Sequence, residues 1–307
     1  MASEFGSFIS SGGFGAVRSS GLKIKDSDVI IIPSPYDGAT SYRSGANEGP
    51  QAIIAASSQV ELYDAEWNLD YEGLKLYTLN PMEPDVTGPE SMINKLQSVC
   101  ETALQKCDFL LTLGGDHSLT SGPVRAYVKK FDKSLTVIQI DAHADLRKTW
   151  QGSPYSHACV MRRVSEVAKI AQIGIRSMSK EENAFIYSSG HPVCKIWDMA
   201  ENTNWIDKFM DQLTDNVYIT IDMDCFDPSV APGVGTPEPG GLMWQEVCNI
   251  IRVIGESKNV VGADIMEVKP QPGSIVTEFT AAKLCYKIIA AAMLIDKKTC
   301  DSFSHHS

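Results

Sequence analysis

The sequence predicts a three-layer α/β/α fold built on an eight-stranded parallel sheet. Three observations carry that expectation. Eight short apolar runs alternate with amphipathic stretches along the 307 residues. The runs are nearly continuous in hydrophobicity, the pattern of strands covered on both faces. No Pro/Gly/Ser-rich linker and no internal repeat breaks the alternation, which points to one domain over residues 23–298. A flexible Gly/Ser-rich lead-in is expected over 1–22 and a disordered tail over 299–307.

Taken in order, strands are predicted at 29–35 (VIIIPSP), 74–79 (LKLYTL), 109–115 (FLLTLGG) and 135–141 (LTVIQID). Four more follow at 170–176 (IAQIGIR), 193–198 (VCKIWD), 217–224 (VYITIDMD) and 260–267 (VVGADIME). Between the second and third, residues 88–107 place Met92, Leu96, Val99 and Leu104 on roughly one helical face. Helices are predicted likewise over 119–131, 204–214, 243–257 and 277–298.

Composition excludes several functional classes. At 43% hydrophobic and 21% charged residues, the chain has the balance of a globular protein rather than a disordered one. A net charge of −11 with no basic stripe argues against nucleic acid or an anionic membrane as partner and favours a small cation. The run IIAAAMLI is too short to span a bilayer, and the N-terminus lacks a basic segment followed by an apolar core. Eight cysteines without a C-x-x-C pair suggest reduced, buried thiols in a cytoplasmic setting. Cys225, between candidate ligands, reads as a packing residue.

Chemistry concentrates at the strand ends, where open α/β sheets build their sites. The run at 109–115 leads into His117, and that at 135–141 into Asp141, His143 and Asp145. The run at 217–224 carries Asp222 and Asp224, and that at 260–267 ends in Glu267. Each feature alone is ordinary, because a lone histidine or a D-x-D pair often marks a turn. Together, at the same end of one sheet, they point to a metal site. Four clustered carboxylates repel one another, roughly 4 kcal/mol for a pair about 4 Å apart at an effective dielectric near 20. Two divalent cations neutralise them, and a carboxylate-rich, thiolate-free shell suits Mn²⁺ better than structural Zn²⁺.

The segments LGGDHS, DAHADLR and ITIDMDCFDPSVAPGVGTPEPGG resemble the three signature segments of the ureohydrolase family, which includes arginases and agmatinases. The resemblance runs from about Pro33 to Leu294. It implies an eight-stranded parallel sheet, a manganese pair per chain and a homotrimer or homohexamer. By that resemblance His117, Asp141, Asp145 and Asp222 bind one ion, and Asp141, His143, Asp222 and Asp224 the other. Asp141 and Asp222 bridge the two. Such a pair activates a shared water near neutral pH, which the resemblance directs at a guanidinium carbon. Asp145 also holds the nucleophile's proton, Glu267 grips the guanidinium, and His157 of YSHA hands a proton to the leaving amine.

For the substrate, a small cationic guanidino compound is expected, agmatine foremost. Residues 146–156 lack the Asn/Thr-rich loop with which animal-type arginases hold an α-carboxylate, and Ser179 stands where they place an Asp. Arginine, aminopropylagmatine, 4-guanidinobutyrate and guanidine are the alternatives. From other classes, a single-zinc deacetylase would not need His117, Asp145 and Glu267, and an inactive assembly or regulatory relative would not need the full ligand set.

Overall fold

The computed structural model describes residues 12–16, 22–202, 204–293 and 295. Along the chain the strands are β1 (Val29–Ser34), β2 (Tyr63–Asp64), β3 (Leu69–Asp70), β4 (Leu76–Thr78) and β5 (Phe109–Gly114). They continue with β6 (Leu135–Ile140), β7 (Lys169–Ile175), β8 (Val193–Lys195), β9 (Asn216–Asp222) and β10 (Asn259–Met266). Eight of them form one sheet in the order β4-β1-β5-β10-β9-β6-β7-β8, with every neighbouring pair parallel. These eight match the eight apolar runs. The β2–β3 pair is a small antiparallel hairpin outside the sheet, which no apolar run announces.

The helices are α1 (Gly49–Ser57), α2 (Pro89–Ala103), α3 (Ser121–Phe131), α4 (Val160–Val164) and α5 (Lys180–Ser189). After them come α6 (Ile196–Glu201), α7 (Trp205–Met210), α8 (Trp244–Ser257) and α9 (Val276–Met293). Successive strand residues feed opposite layers, which is why the runs lack polar positions. In β1, Val29 and Ile31 join a cluster with Ile53, Ile251 and Ile289. Ile30 and Ile32 join the other, with Met92, Val124 and Met161. Each such side chain, fully buried, contributes about 1.5–3 kcal/mol, so both faces of the sheet hold the fold together.

Three expectations need correction. The strand over 193–198 ends at Lys195, because the Asp198 carboxylate accepts the Lys195 N–H at 3.3 Å and starts α6. Of the flexible lead-in, Gly12–Ala16 are described, and Phe14 is fully buried with its ring 5.1 Å from that of Tyr286. The Phe14 N–H also donates to Thr78 Oγ1 at 3.0 Å. The helix over 277–298 ends at Met293. The rest of the lead-in before residue 22, and the tail over 299–307, lie outside the described residues. Among the described residues no helix is long and apolar enough to cross a membrane, and the seven described cysteines are buried and free of disulfides.

Candidate metal centre

The sheet order puts β5, β10, β9 and β6 side by side. Their carboxyl ends carry His117, Glu267, Asp222 with Asp224, and Asp141 with His143 and Asp145. Local sequence explains how each segment reaches its place. After β5 the chain must squeeze between its neighbours, and only glycine permits it. A Cβ on Gly114 would collide with the Met266 sulfur, and one on Gly115 with the Tyr36 carbonyl. Asp116 then caps the turn, its carboxylate accepting Ser118 N–H at 3.0 Å and Ala39 N–H at 2.8 Å, and His117 is carried into the centre.

Of the six described non-glycine residues at positive φ, two belong to this site: Asp145 at φ 52° and Glu267 at φ 64°. Such conformations cost on the order of 1–3 kcal/mol each and persist only where the surroundings impose them. The Asp145 carbonyl accepts the N–H groups of Met161 and Arg162 at 3.0 and 3.2 Å, and Glu267 N–H donates to Gly115 O at 2.8 Å. Both strained residues point chemistry inward.

Two trios bring their ligand atoms within 4.8 Å of one another: His117, Asp141 and Asp145, and Asp141, His143 and Asp224. Asp141 belongs to both. Around His117 Nδ1 stand carboxylate oxygens of Asp141 at 3.1 Å, Asp222 at 3.3 Å and Asp145 at 3.4 Å. His143 Nδ1 lies 3.0 Å from Asp224 Oδ2. The fold thus gathers all six expected metal-type side chains, with Asp222 meeting the first trio beside His117 and its Oδ1 accepting Asp224 N–H at 2.8 Å.

Does this donor set fit a cation? His117 is fully buried, and its Nε2 is engaged with Thr220 Oγ1 at 2.8 Å. Its Nδ1 is buried without a hydrogen-bond partner, although three carboxylate oxygens lie close by. None of the three makes a hydrogen bond to it, so a buried ring nitrogen and three carboxylates share one spot with no bond among them to settle it. A cation held by all four would satisfy them together. The charges agree. Burial, then the charges of Asp224 and Asp145, push the Asp141 carboxyl up to about 7. Burial and the charge of Asp224 raise Asp222 as well. Carboxylates that resist ionising beside one another are short of positive charge, which a cation pair supplies.

Beside the trios, Glu267 Oε1 accepts His117 N–H at 2.9 Å and lies 3.0 Å from His157 Nδ1. Burial pulls the His157 pKa down, but the hydrogen bond and charge of Glu267 outweigh it and raise it to about 9. Ser41, which the sequence reading passed over, meets the other ring nitrogen twice. Its N–H lies 3.0 Å from His157 Nε2 and its Oγ 2.8 Å. The N–H contact requires a bare Nε2 and so a neutral ring, whereas the raised pKa favours the charged one. Both fit one geometry: the neutral ring accepts from Ser41 N–H, and the charged ring donates to Ser41 Oγ.

Of these groups, Ser41, His143, Asp145, His157, Asp222 and Asp224 line a cavity of about 200 Å³, together with Arg147 and Trp150. Arg147 stacks on Trp150 with its guanidinium carbon 4.2 Å from the ring centroid, and its Nε lies 3.8 Å from Glu182 Oε2. Ser179 is absorbed in structure: it caps α5 in a reciprocal capping box with Glu182. Arg176 was also missed as a placed residue. Its guanidinium donates to the carbonyls of Asp224 and Glu238, both at 2.8 Å, and pins the Asp224 loop to the TPEPGG loop. The S-x-x-E spacing announces the capping box. Nothing in the spacing announces Arg176 or Ser41, because their partners, backbone carbonyls for Arg176 and the His157 ring for Ser41, lie far away in sequence.

Residues 27–291 match the Arginase family. An N(1)-aminopropylagmatine ureohydrolase of Synechocystis is 41% identical over 272 residues, covering 86% of this chain and 89% of its own. An agmatinase of Pyrococcus horikoshii is 38% identical, covering 87% of this chain and 93% of its own. Among solved structures, the agmatine ureohydrolase of Thermoplasma volcanium superposes with a TM-score of 0.82 at 32% identity, covering 93% of this chain and 96% of that one.

Proposed function

The chain belongs to the arginase family, and from that premise we propose that it hydrolyses a linear cationic guanidino compound to an amine and urea. Agmatine, giving putrescine and urea, is the substrate we assign first. The aminopropyl derivative of agmatine is the second reading, favoured by the name of the Synechocystis relative. One observation carries the proposal. Six metal-type ligands, a strained glutamate and its paired histidine converge at the ends of four adjacent strands, beside a cavity sized for a small molecule.

The proposed ligands are His117, Asp141, Asp145 and Asp222 for one ion and Asp141, His143, Asp222 and Asp224 for the other. The oxygen-rich, thiolate-free donor set supports manganese. When bound, such a pair supplies Lewis acidity and an activated water at neutral pH. The remaining work falls to the protein. Glu267 has its Oε1 engaged by His117 N–H and His157, and its Oε2 offers a charge-assisted hydrogen bond to the guanidinium. Asp145, at the cavity wall, takes the proton released by the attacking water.

His157 then gives a proton to the departing nitrogen. Its arrangement supports that role, since Ser41 presents both a donor and an acceptor to the same ring nitrogen. The ring can change charge there without changing place. A bound guanidinium beside Glu267 also offsets the charge that holds the imidazole protonated, so substrate binding itself eases proton release. We extend the proposal to a cytoplasmic enzyme that assembles as a trimer or hexamer, for which native mass measurement is the check. The test of function is urea release from a panel of agmatine, aminopropylagmatine, arginine, 4-guanidinobutyrate and guanidine with Mn²⁺ present. Release from none of them refutes the proposal.

A further inference from the structure

Behind Asp141, away from the cavity, runs a line of polar side chains inside the sheet. Gln139 on β6 and Gln172 on β7 are both fully buried, on adjacent strands where they sit in register. Gln139 Nε2 lies 2.5 Å from Asp141 Oδ2 and 3.3 Å from the His143 carbonyl. Gln172 Nε2 hydrogen-bonds Gln139 Oε1 and also the Ala144 carbonyl at 2.7 Å. Gln172 Oε1 lies 2.9 Å from His191 Nε2, and His191 Nδ1 lies 2.6 Å from Ser189 Oγ. Four side chains thus link the end of α5 to the one carboxylate shared by both trios.

The direction of each bond from Asp141 as far as His191 Nε2 is forced. A carboxylate and a carbonyl only accept, so the end of Gln139 that faces Asp141 and His143 O must be its NH₂. Its oxygen therefore faces Gln172. The end of Gln172 that meets this oxygen and Ala144 O must again be NH₂, which leaves its Oε1 needing a donor. His191 is the donor on Nε2, and its Nδ1 faces the Ser189 hydroxyl, whose one proton is also within reach of the Phe185 carbonyl at 2.8 Å. Burial lowers the His191 pKa to about 4, so the ring is neutral at physiological pH and carries its single proton on Nε2. Neither glutamine can flip without setting two acceptors face to face.

We propose that Gln139, Gln172 and His191 are positioning residues that hold the Asp141 carboxylate in a fixed rotation toward both metal ions. Asp141 Oδ1 is already held by His143 N–H at 2.6 Å. Gln139 holds Oδ2, and the two further members keep the Gln139 amide from turning. Amides do not readily relay protons, so the line orients the ligand and does not conduct. Outer partners of this kind set ligand geometry, and their loss typically costs about 10–100-fold in metal affinity. The inference rests on the metal-pair reading of the site, and its test separates the two.

Mn²⁺ is titrated calorimetrically into the full-length chain after chelation, for the wild type and for Gln139→Met, Gln172→Met, His191→Phe and the Gln139→Met/Gln172→Met double variant. Circular dichroism establishes folding, and Gln172→Met, one residue further from the site, carries the test if Gln139→Met does not fold. The expected result is a loss of affinity of about 10–100-fold in Gln139→Met, a smaller loss in Gln172→Met and the smallest in His191→Phe. The double variant should bind no more weakly than Gln139→Met alone, since both act through one amide. Unchanged affinity in the glutamine variants, or losses that simply add, overturns the positioning line while leaving the metal pair. A wild-type chain that takes up no Mn²⁺ overturns both.

Discussion

His157 Nδ1 and Glu267 Oε1 stand 3.0 Å apart, although the two residues are 110 positions apart in the chain. The pairing couples the proposed proton donor to the proposed guanidinium anchor. It yields the first prediction. His157→Asn should keep its metal content and lose about 10²–10⁴-fold in turnover, the usual share of a general acid. Wild-type turnover across the pH range would make the residue structural. Separately, Glu267→Gln should lower the His157 pKa from about 9 toward its ordinary 6.5, read from its imidazole proton resonance. An unmoved titration would show that Glu267 is not what holds it.

The shared position of Asp141 predicts an unequal response to ligand loss. Asp141→Asn should bind less than one ion per chain, because it enters both trios. Asp145→Asn should keep the second ion, because it enters only the first. Elemental analysis after Mn²⁺ loading decides this, and a single tightly held zinc with no activation by manganese would sink the binuclear reading.

That these side chains meet on one rim was legible in the sequence for a physical reason. A strand end fixes where a side chain points, so D-x-H-x-D after an apolar run already implies carboxylates and imidazole on one rim. The eight sheet strands were equally legible, since burial on both faces leaves unbroken apolar runs. What escaped were short helices and contacts that only the closed fold brings together. α1 opens on Gly49-Pro50 and α5 on the Ser179–Glu182 box, both short amid polar residues. Ser41 and Gln139 take their roles only once distant strands and loops close around them.

A stability prediction comes from the hairpin that the apolar pattern did not reveal. Lys287 of α9 is 2% exposed and meets Asp64 at 2.7 Å, Glu66 at 3.0 Å and the Trp67 ring at 4.0 Å. Removing one partner of a buried pair costs about 3–5 kcal/mol, because the other charge stays buried. Lys287→Met should therefore lower the melting temperature by several degrees or more, and adding Asp64→Asn should recover part of it. A fully additive double variant would mean that the pair is not coupled.

His191 predicts how acid weakens the fold. Its pKa falls from 6.5 to about 4 on burial, so between those values the unfolded chain binds a proton that the folded chain excludes. Its contribution to stability is whole above pH 6.5 and is lost as pH falls toward 4. Asp64 acts lower. Burial pushes its pKa up, but hydrogen bonds from Lys287 and Tyr71 bring it below 3.8, so its contribution is lost only as pH falls further. Denaturant unfolding of His191→Phe should show a flatter pH dependence between 6.5 and 4 than the wild type. An identical slope would remove His191 as the cause.

The last prediction concerns the substrate, where the cavity wall bears on a choice between two molecules that differ by one carboxylate. Agmatine should be hydrolysed with a higher kcat/KM than L-arginine. Two absences argued this from sequence, the missing Asn/Thr loop over 146–156 and the missing carboxylate at 179. The second is reinforced by structure, since Ser179 Oγ is taken by Glu182 N–H at 3.2 Å in capping α5. Arg147 is the counter-argument, a cation in the cavity wall able to meet an α-carboxylate. Its charge, however, is already stacked on Trp150 and turned toward Glu182, so arginine would have to draw it away from both. An α-carboxylate left unpaired loses several kcal/mol of solvation, and about 1.4 kcal/mol is tenfold in kcat/KM. Glu267 meets the guanidinium common to both molecules and cannot restore the difference. Measuring both substrates, with aminopropylagmatine as a third, decides it. A preference for arginine that collapses in Arg147→Ala would move the carboxylate site to Arg147 and overturn the agmatine assignment.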